Sequence, residues 1–445
     1  MEFRKQLNEI IRSFDAGTWD EMHYLLASLK PHEIANLLES TPPKVRQVIW
    51  ELLDTETENR VLQYLNEDVR AEFLESMNTA DLVAAGDELE TDDFADILQQ
   101  LPGTITQQVL ASMDAADRQR VEKVLSYPED SAGGLMNTDT ITVRPRHSLE
   151  LVLRYLRRRG EIPEATDSLI VVNSRDEYVG LLPLSRLLTK DPTVTVREVM
   201  NTEVEAIPAD TPDTEVARIF AEQDLISAPV VEQDGKLVGR ITIDDVVDVI
   251  IEDADETLLA RAGLDLDEDT FAPILRSART RAIWLGINLV TALVAASVIN
   301  IFEDTIAKVV ALAVLMPVVT SMGGIAGTQT LTLVIRGISL GHVGRSNLGW
   351  LLNREFLVAS LNGILWAGIV ALGTAIVFQD VTLGWLIAIA MIINIVVAAV
   401  AGSLLPSILH SLHIDPAIAG GVILTTITDV AGFFVFLGLA TLAYS

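Results

Sequence analysis

Residues 418–443 read IAGGVILTTITDVAGFFVFLGLATLA, an apolar run with one carboxylate, Asp429, near its middle. As a helix this run crosses about 30 Å of hydrocarbon. A charge at that depth costs at least about 2.5–3.5 kcal/mol, so it faces a bundle interior or a water-filled path, not lipid. Two environments suit such an acid: a wet cation path, or packed protein in which it stays protonated and hydrogen-bonded. At helical spacing Gly421, Thr425 and Asp429 share one face. That stripe of small and hydroxyl groups ends in the carboxylate and gives a hydrated cation unhindered access.

Further apolar runs lie at 282–302, 306–335, 355–378 and 381–409, so five spans end at 416–443. Arg276, Arg279 and Arg281 precede the first, and Glu303 and Asp304 follow it. Arg336, Arg345 and Arg354 fill the second connection, whereas Gln379 and Asp380 fill the third. Basic connections remain cytoplasmic, which predicts an outside C-terminus and a cytoplasmic Asp415. The second run is too long for one straight span and contains Pro317 and the stretch Gly323-Gly324-Ile325-Ala326-Gly327-Thr328-Gln329. Backbone freed by proline or glycine survives at membrane depth only in protein or beside a wet cavity. Gly323 and Gly327 also form a GxxxG spacing that serves close helix packing.

The formal net charge of −30 is carried almost wholly before residue 282. Only six of the 62 acids and four of the 32 bases lie beyond it, a net of −2 that leaves −28 to the first part. This describes an acidic soluble module fused to a membrane domain. Its charge argues against nucleic acid and anionic lipid as partners and favours cations. Cysteine is absent, which removes disulfides and thiolate metal sites. The start, MEFRKQLNEIIRSFD, lacks the apolar region of a signal peptide, so the acidic module is expected in the cytoplasm. No nucleophile–base pair or hydrolytic motif points to an enzyme.

Residues 1–126 carry short amphipathic helices with an echo, Leu37-Leu-Glu-Ser40 returning as Phe73-Leu-Glu-Ser76 and, more loosely, Ile97-Leu-Gln-Gln100. This suggests a helical superhelix. A cleaner duplication follows: YVGLLPLSRLL at 178–188 matches LVGRITIDDVV at 237–247. Each copy follows a helix (Leu149–Arg158, Glu215–Gln223) and a β-rich strand (Leu169–Asn173, Ala228–Glu232). Tandem helix–strand–strand–helix units resemble a CBS-domain pair. Thr242-Ile-Asp-Asp245 fits the ribose-contacting pattern that CBS pairs use for adenine nucleotides such as ATP, and also fits a plain helix N-cap. Asp244, Asp245, Asp248, Glu252, Asp253, Asp255 and Glu256 then crowd together, and Asp92, Asp93 and Asp96 lie in the helical domain. Such oxygen-rich faces suit Mg²⁺ or Ca²⁺, although solvated helix faces look the same. In 257–281 an apolar stripe of Phe271, Ile274, Leu275 and Ala278 reads as a linker helix or a moving gate element.

Taken together, the chain resembles an MgtE-type magnesium channel over essentially its full length. The junction YPEDSAGGLM at 127–136, the Pro317…Gly323-Gly324 segment and Asp415-Pro416-Ala417…Thr428-Asp429-Val430 carry the resemblance. It implies a multi-domain fold: an all-α N-terminal superhelix (1–128), an α/β tandem CBS pair (129–200 and 201–257), a connecting or plug helix (258–281) and a five-helix transmembrane domain (282–445). It also implies a homodimer in a bacterial inner membrane, bounded by lipid, whose pore comes from the second and fifth spans. Asp429 would hold hydrated Mg²⁺, with Thr425, Gly324, Thr328 and Gly421 at pore-lining positions. Regulatory Mg²⁺ would bind at Asp92, Asp96, Asp224, Asp245, Asp248, Asp253, Glu256 and Asp415 and close the pore.

Departures from the family pattern bear on the ion. Ile325 and Thr328 replace both asparagines of the usual Gly-Gly-Asn-x-Gly-Asn-Gln, and Gly421 stands where an asparagine is common. Thr214 and Thr257 occupy positions that often hold acids. A channel for Co²⁺, Mn²⁺ or a broader set of cations is therefore the alternative, and a non-conducting, membrane-tethered nucleotide sensor is a third reading.

Overall fold

The computed structural model describes residues 10, 19–163, 165–260, 264, 270–272, 274–339, 342–344, 346–412, 414 and 416–444. They form two compact units: Met1–Glu256 with Leu266–Pro273, and Thr257–Asp265 with Ile274–Ser445.

The first unit opens with α1 (Trp19–Leu26), α2 (Pro31–Glu39), α3 (Pro43–Glu51), α4 (Thr55–Leu62), α5 (Glu67–Leu74), α6 (Thr79–Glu88), α7 (Thr91–Gln99), α8 (Gly103–Ser112) and α9 (Ala115–Val124). Asp54, Asn66, Asn78 and Asp114 start four of these helices by accepting backbone N–H groups. Helix α2 packs on α4, α4 on α6 and α6 on α8, the nearest-neighbour stacking of a superhelix. The core contains a fully buried Arg46, which donates to Leu38 O and Thr41 O and pairs with Glu72. Those acceptors offset the burial of the guanidinium.

Two three-stranded sheets follow, β1 (Thr142–Val143), β2 (Ser168–Val172) and β3 (Tyr178–Pro183), then β4 (Ile207–Pro208), β5 (Ser227–Val231) and β6 (Leu237–Thr242). In each, the first strand pairs parallel to the second and the second antiparallel to the third. Even the irregularity repeats, at Val171/Val172 and at Val230/Val231. Their helices are α10 (Leu149–Arg159), α11 (Leu184–Thr189), α12 (Val196–Val199), α13 (Asp213–Gln223) and α14 (Ile243–Ala260). The expected duplication is thus a structural one. Thr91 and Thr138 hydroxyls meet at 3.1 Å, and Asn137 bonds Glu90, tying the helical stack to the sheets.

The second unit comprises α15 (Ile274–Ile301), α16 (Glu303–Lys308), α17 (Ala311–Ser339), α18 (Leu348–Phe378), α19 (Val381–Ser411) and α20 (Pro416–Tyr444). Five of these are long and apolar enough to cross a membrane. Helix α19 is the most enclosed and packs against α17, α18 and α20. Thr330 on α17 donates to the buried Glu355 on α18 at 3.2 Å, and Arg354 pairs with the same carboxylate.

Two expectations are corrected here. The run 306–335 divides into α16 and α17, and α17 continues as one helix through Pro317 and the glycines. Pro317 removes a single N–H near the start of the helix, too little to break a helix packed on three others. The apolar stripe of 257–281 does not form one described helix. Phe271 lies in a turn, whereas Ile274, Leu275 and Ala278 already belong to α15.

Candidate functional site

The membrane unit brings the expected path residues onto two antiparallel neighbours. Leu424 of α20 packs where a side chain on Gly327 of α17 would stand, and Leu331 does the same at Gly420. Farther along, Asn394 of α19 touches both Gly323 and Gly432. Gly432 also meets Thr320, so these contacts bracket half-buried Asp429 between the levels of residues 320 and 327 of α17. Gly324 and Gly421 have no atom within 4 Å of an added Cβ, and Thr328, Gly421 and Thr425 are exposed. The glycines thus differ by position: Gly323 and Gly327 serve packing, while Gly324 faces open space. Thr328 donates to Gly324 O at 2.9 Å and Thr425 to Gly421 O at 2.8 Å, which leaves hydroxyl lone pairs on the uncovered faces. Thr428 is fully buried, donates to Thr425 O, and does not share this face. One residue is about 100° of helix, enough to turn it into the bundle.

The soluble unit gathers its acids into a cleft of about 510 Å³. Asp92, Asp93 and Asp96 of α7 line it with Asp245, Asp248, Glu252 and Asp255 of α14. Glu129 and Asp130 join from a connecting segment and Asp213 from the start of α13, with Arg70 as the basic neighbour. Both carboxylate oxygens of Asp92 are buried without a hydrogen-bond partner. Burial, followed by the charge of Asp245, pushes its carboxyl well above the ordinary range. Burial also raises Asp93 to about 7, with Glu90 adding to it, and Asp96 to about 8, with Glu129 adding to it. Asp245 is raised to about 7 by burial against the opposing bond from Thr242. These groups are desolvated, mutually repelling and under-compensated, so the cleft binds a cation or protons more readily than it stays bare. Among the described residues, no three carboxylate or imidazole groups converge closely enough to grip a bare metal ion. The donor set fits a hard ion that retains part of its water shell.

Not every expected regulatory residue joins the cleft. Asp224 ends α13 in a left-handed conformation, φ 51°, and neither it nor Glu256 is among the lining residues. Asp253 acts electrostatically on Asp213 from beside the cleft. Asp415 lies outside the described residues. The lining residues Glu129, Asp130 and Asp213 were absent from the expected set, although the first two lie within the YPEDSAGGLM junction. Their acidic character was legible, but the fold that turns them toward α7 was not. Thr242 donates to Asp245 at 2.8 Å and also bonds Asp244, so this motif satisfies itself as a helix start.

Three family models match successive stretches of the chain. Residues 316–439 match the MgtE divalent cation transporter, 29–130 the MgtE intracellular N domain, and 132–192 and 196–252 the CBS domain. The Magnesium transporter MgtE of Bacillus subtilis is 30% identical over 99% of this chain and 98% of its own length. The chain belongs to the MgtE family. The Magnesium transporter MgtE of Thermus thermophilus is 31% identical over 96% of each chain. Among solved structures, the cytosolic domain of the Mg²⁺ channel MgtE in complex with ATP is 32% identical with a TM-score of 0.50. That match covers 55% of this chain and 99% of the other. MgtE proteins are membrane transporters, which assigns the chain to transport and not to enzymatic catalysis.

Proposed function

We propose that this MgtE protein is a homodimeric Mg²⁺ channel of the bacterial inner membrane, closed by cytosolic Mg²⁺. The observation that carries the pore reading is Asp429 beside the open stripe of Gly421 and Thr425, level with open Gly324. In this reading a second copy supplies the opposite wall, and paired Asp429 carboxylates hold Mg²⁺ through its water shell. Mg²⁺ gives up that water reluctantly, so outer-shell capture avoids the dehydration barrier. An inside-negative potential contributes about 4.6 kcal/mol to a divalent ion per 100 mV, so inward flux needs no other energy source. The acidic unit and residues 1–128, 129–200, 201–257 and 258–281 are cytoplasmic, and the C-terminus lies outside.

The cleft supplies regulation. When cytosolic Mg²⁺ is low, uncompensated carboxylates favour separation of α7 from α14. When it is high, the ion binds the closed arrangement better and shifts the population toward it. Closure then passes along the chain beyond α14 to the membrane helices. ATP, bound by a related cytosolic domain, is a second regulatory ligand to test here, with Thr242 and Asp245 as its candidate contacts.

Asp429→Ala is expected to abolish Mg²⁺ uptake into liposomes; undiminished flux would overturn the pore assignment. Ile325 and Thr328, where asparagines are usual, favour a second reading in which Co²⁺ or Mn²⁺ also passes. Competition between these ions and Mg²⁺ in the same liposomes separates the two.

A further inference from the structure

Asn394 lies in the middle of α19, the apolar scaffold helix, and is completely buried. Its Nδ2 donates to Val319 O on α17 at 3.0 Å, while its Oδ1 has no partner. The amide occupies space made by two glycines. A Cβ on Gly323 would stand 2.2 Å from Nδ2, and a Cβ on Gly432 would stand 2.9 Å from it. Gly323 immediately precedes Gly324, and Gly432 lies one turn beyond Asp429. The amide is therefore a wedge behind both path helices at the depth of the ion-binding carboxylate. Leucine shares the branching at Cγ but is larger and has no donor for Val319 O. Packing alone does not account for an amide here.

We propose that Asn394 is a positioning residue for ion selection: its amide sets the spacing and rotation of α17 against α20, and thereby the distance between Gly324 and the Asp429 carboxylate. This rests on the pore reading. A hydrated ion is discriminated by the width and orientation of the groups around its water shell, so sub-ångström changes in that spacing alter the ratio of ions passed. The unfilled Oδ1 gives the wedge an acceptor for a backbone or water donor when α17 and α20 shift.

The test uses the full chain in liposomes, with Mg²⁺ and Co²⁺ as probes and wild type, Asn394→Leu and Asp429→Ala assayed together. Asn394→Leu is expected to retain the wild-type elution profile, with a Tm no more than modestly lowered by the added volume. Its Mg²⁺ to Co²⁺ flux ratio should change by at least about threefold. A stable Asn394→Leu protein with wild-type flux and ratio, alongside an inactive Asp429→Ala, would overturn the positioning role and leave the pore reading intact. Flux through Asp429→Ala would instead overturn the pore reading. Asn394→Ser, which removes volume, carries the same comparison if the leucine variant fails to fold.

Discussion

Asp92 is the side chain on which the proposed regulation turns. Its carboxylate is buried, unpaired and close to other acids, so it opposes assembly of the cleft until a cation or proton arrives. Asp92→Asn keeps the shape and removes the charge. At pH 8 without divalent ions this variant should gain about 2–4 °C in Tm, the shift that about 1 kcal/mol produces in a unit of this size. It should also gain less than wild type from added MgCl2. Combined neutralisation of Asp92, Asp245 and Asp248 should leave liposome flux open at Mg²⁺ levels that close wild type. Unchanged inhibition in the triple variant would exclude the cleft as the sensor.

At the level of helices, glycine has two opposite roles in the membrane unit. A Cβ on Gly402 of α19 would approach Gly327 O to 2.8 Å, so two backbones are in direct contact there. Gly402→Ala should destabilise the protein by about 1–3 kcal/mol, seen as a lower Tm in detergent. Gly421 has nothing within 4 Å of an added Cβ. Gly421→Ala should therefore keep or raise Tm, because alanine is favoured over glycine in a helix by about 1 kcal/mol. Its effect should appear in flux, since the methyl group narrows the face leading to Asp429. A wild-type flux would remove Gly421 from the path. The sequence showed both glycines with equal clarity and could not sort them, because the difference lies in what stands opposite.

For the whole molecule, the raised carboxyls of the cleft couple stability to pH and, in the proposed reading, to divalent ions. Asp93, Asp96 and Asp245 are raised from an ordinary 3.8 to about 7, 8 and 7. The folded state therefore holds protons that the unfolded chain releases. Their contribution is fully present below about pH 4 and is lost as pH rises through about 7–8. Cation-free protein should consequently lose Tm between pH 5.5 and 8.5, and MgCl2 should restore more at the higher pH, where the carboxylates are free to bind it. Thermal unfolding at both pH values, with and without MgCl2, checks this. Equal Mg²⁺ shifts at the two pH values would show that these carboxyls do not hold the ion.

Hydropathy placed the five spans, because a span needs only enough consecutive apolar length, and the 178–188 and 237–247 duplication placed two equivalent sheets, because a repeated sequence builds a repeated unit. The carboxylate at 429 was equally legible, since its cost depends only on depth in the membrane. Three-dimensional packing decided the rest. It turned Thr428 inward, carried α17 unbroken through Pro317, brought Glu129, Asp130 and Asp213 to the cleft, and set Asn394 against Gly323 and Gly432. Each outcome depends on residues distant in sequence that share a few ångströms of space, information that no local period contains.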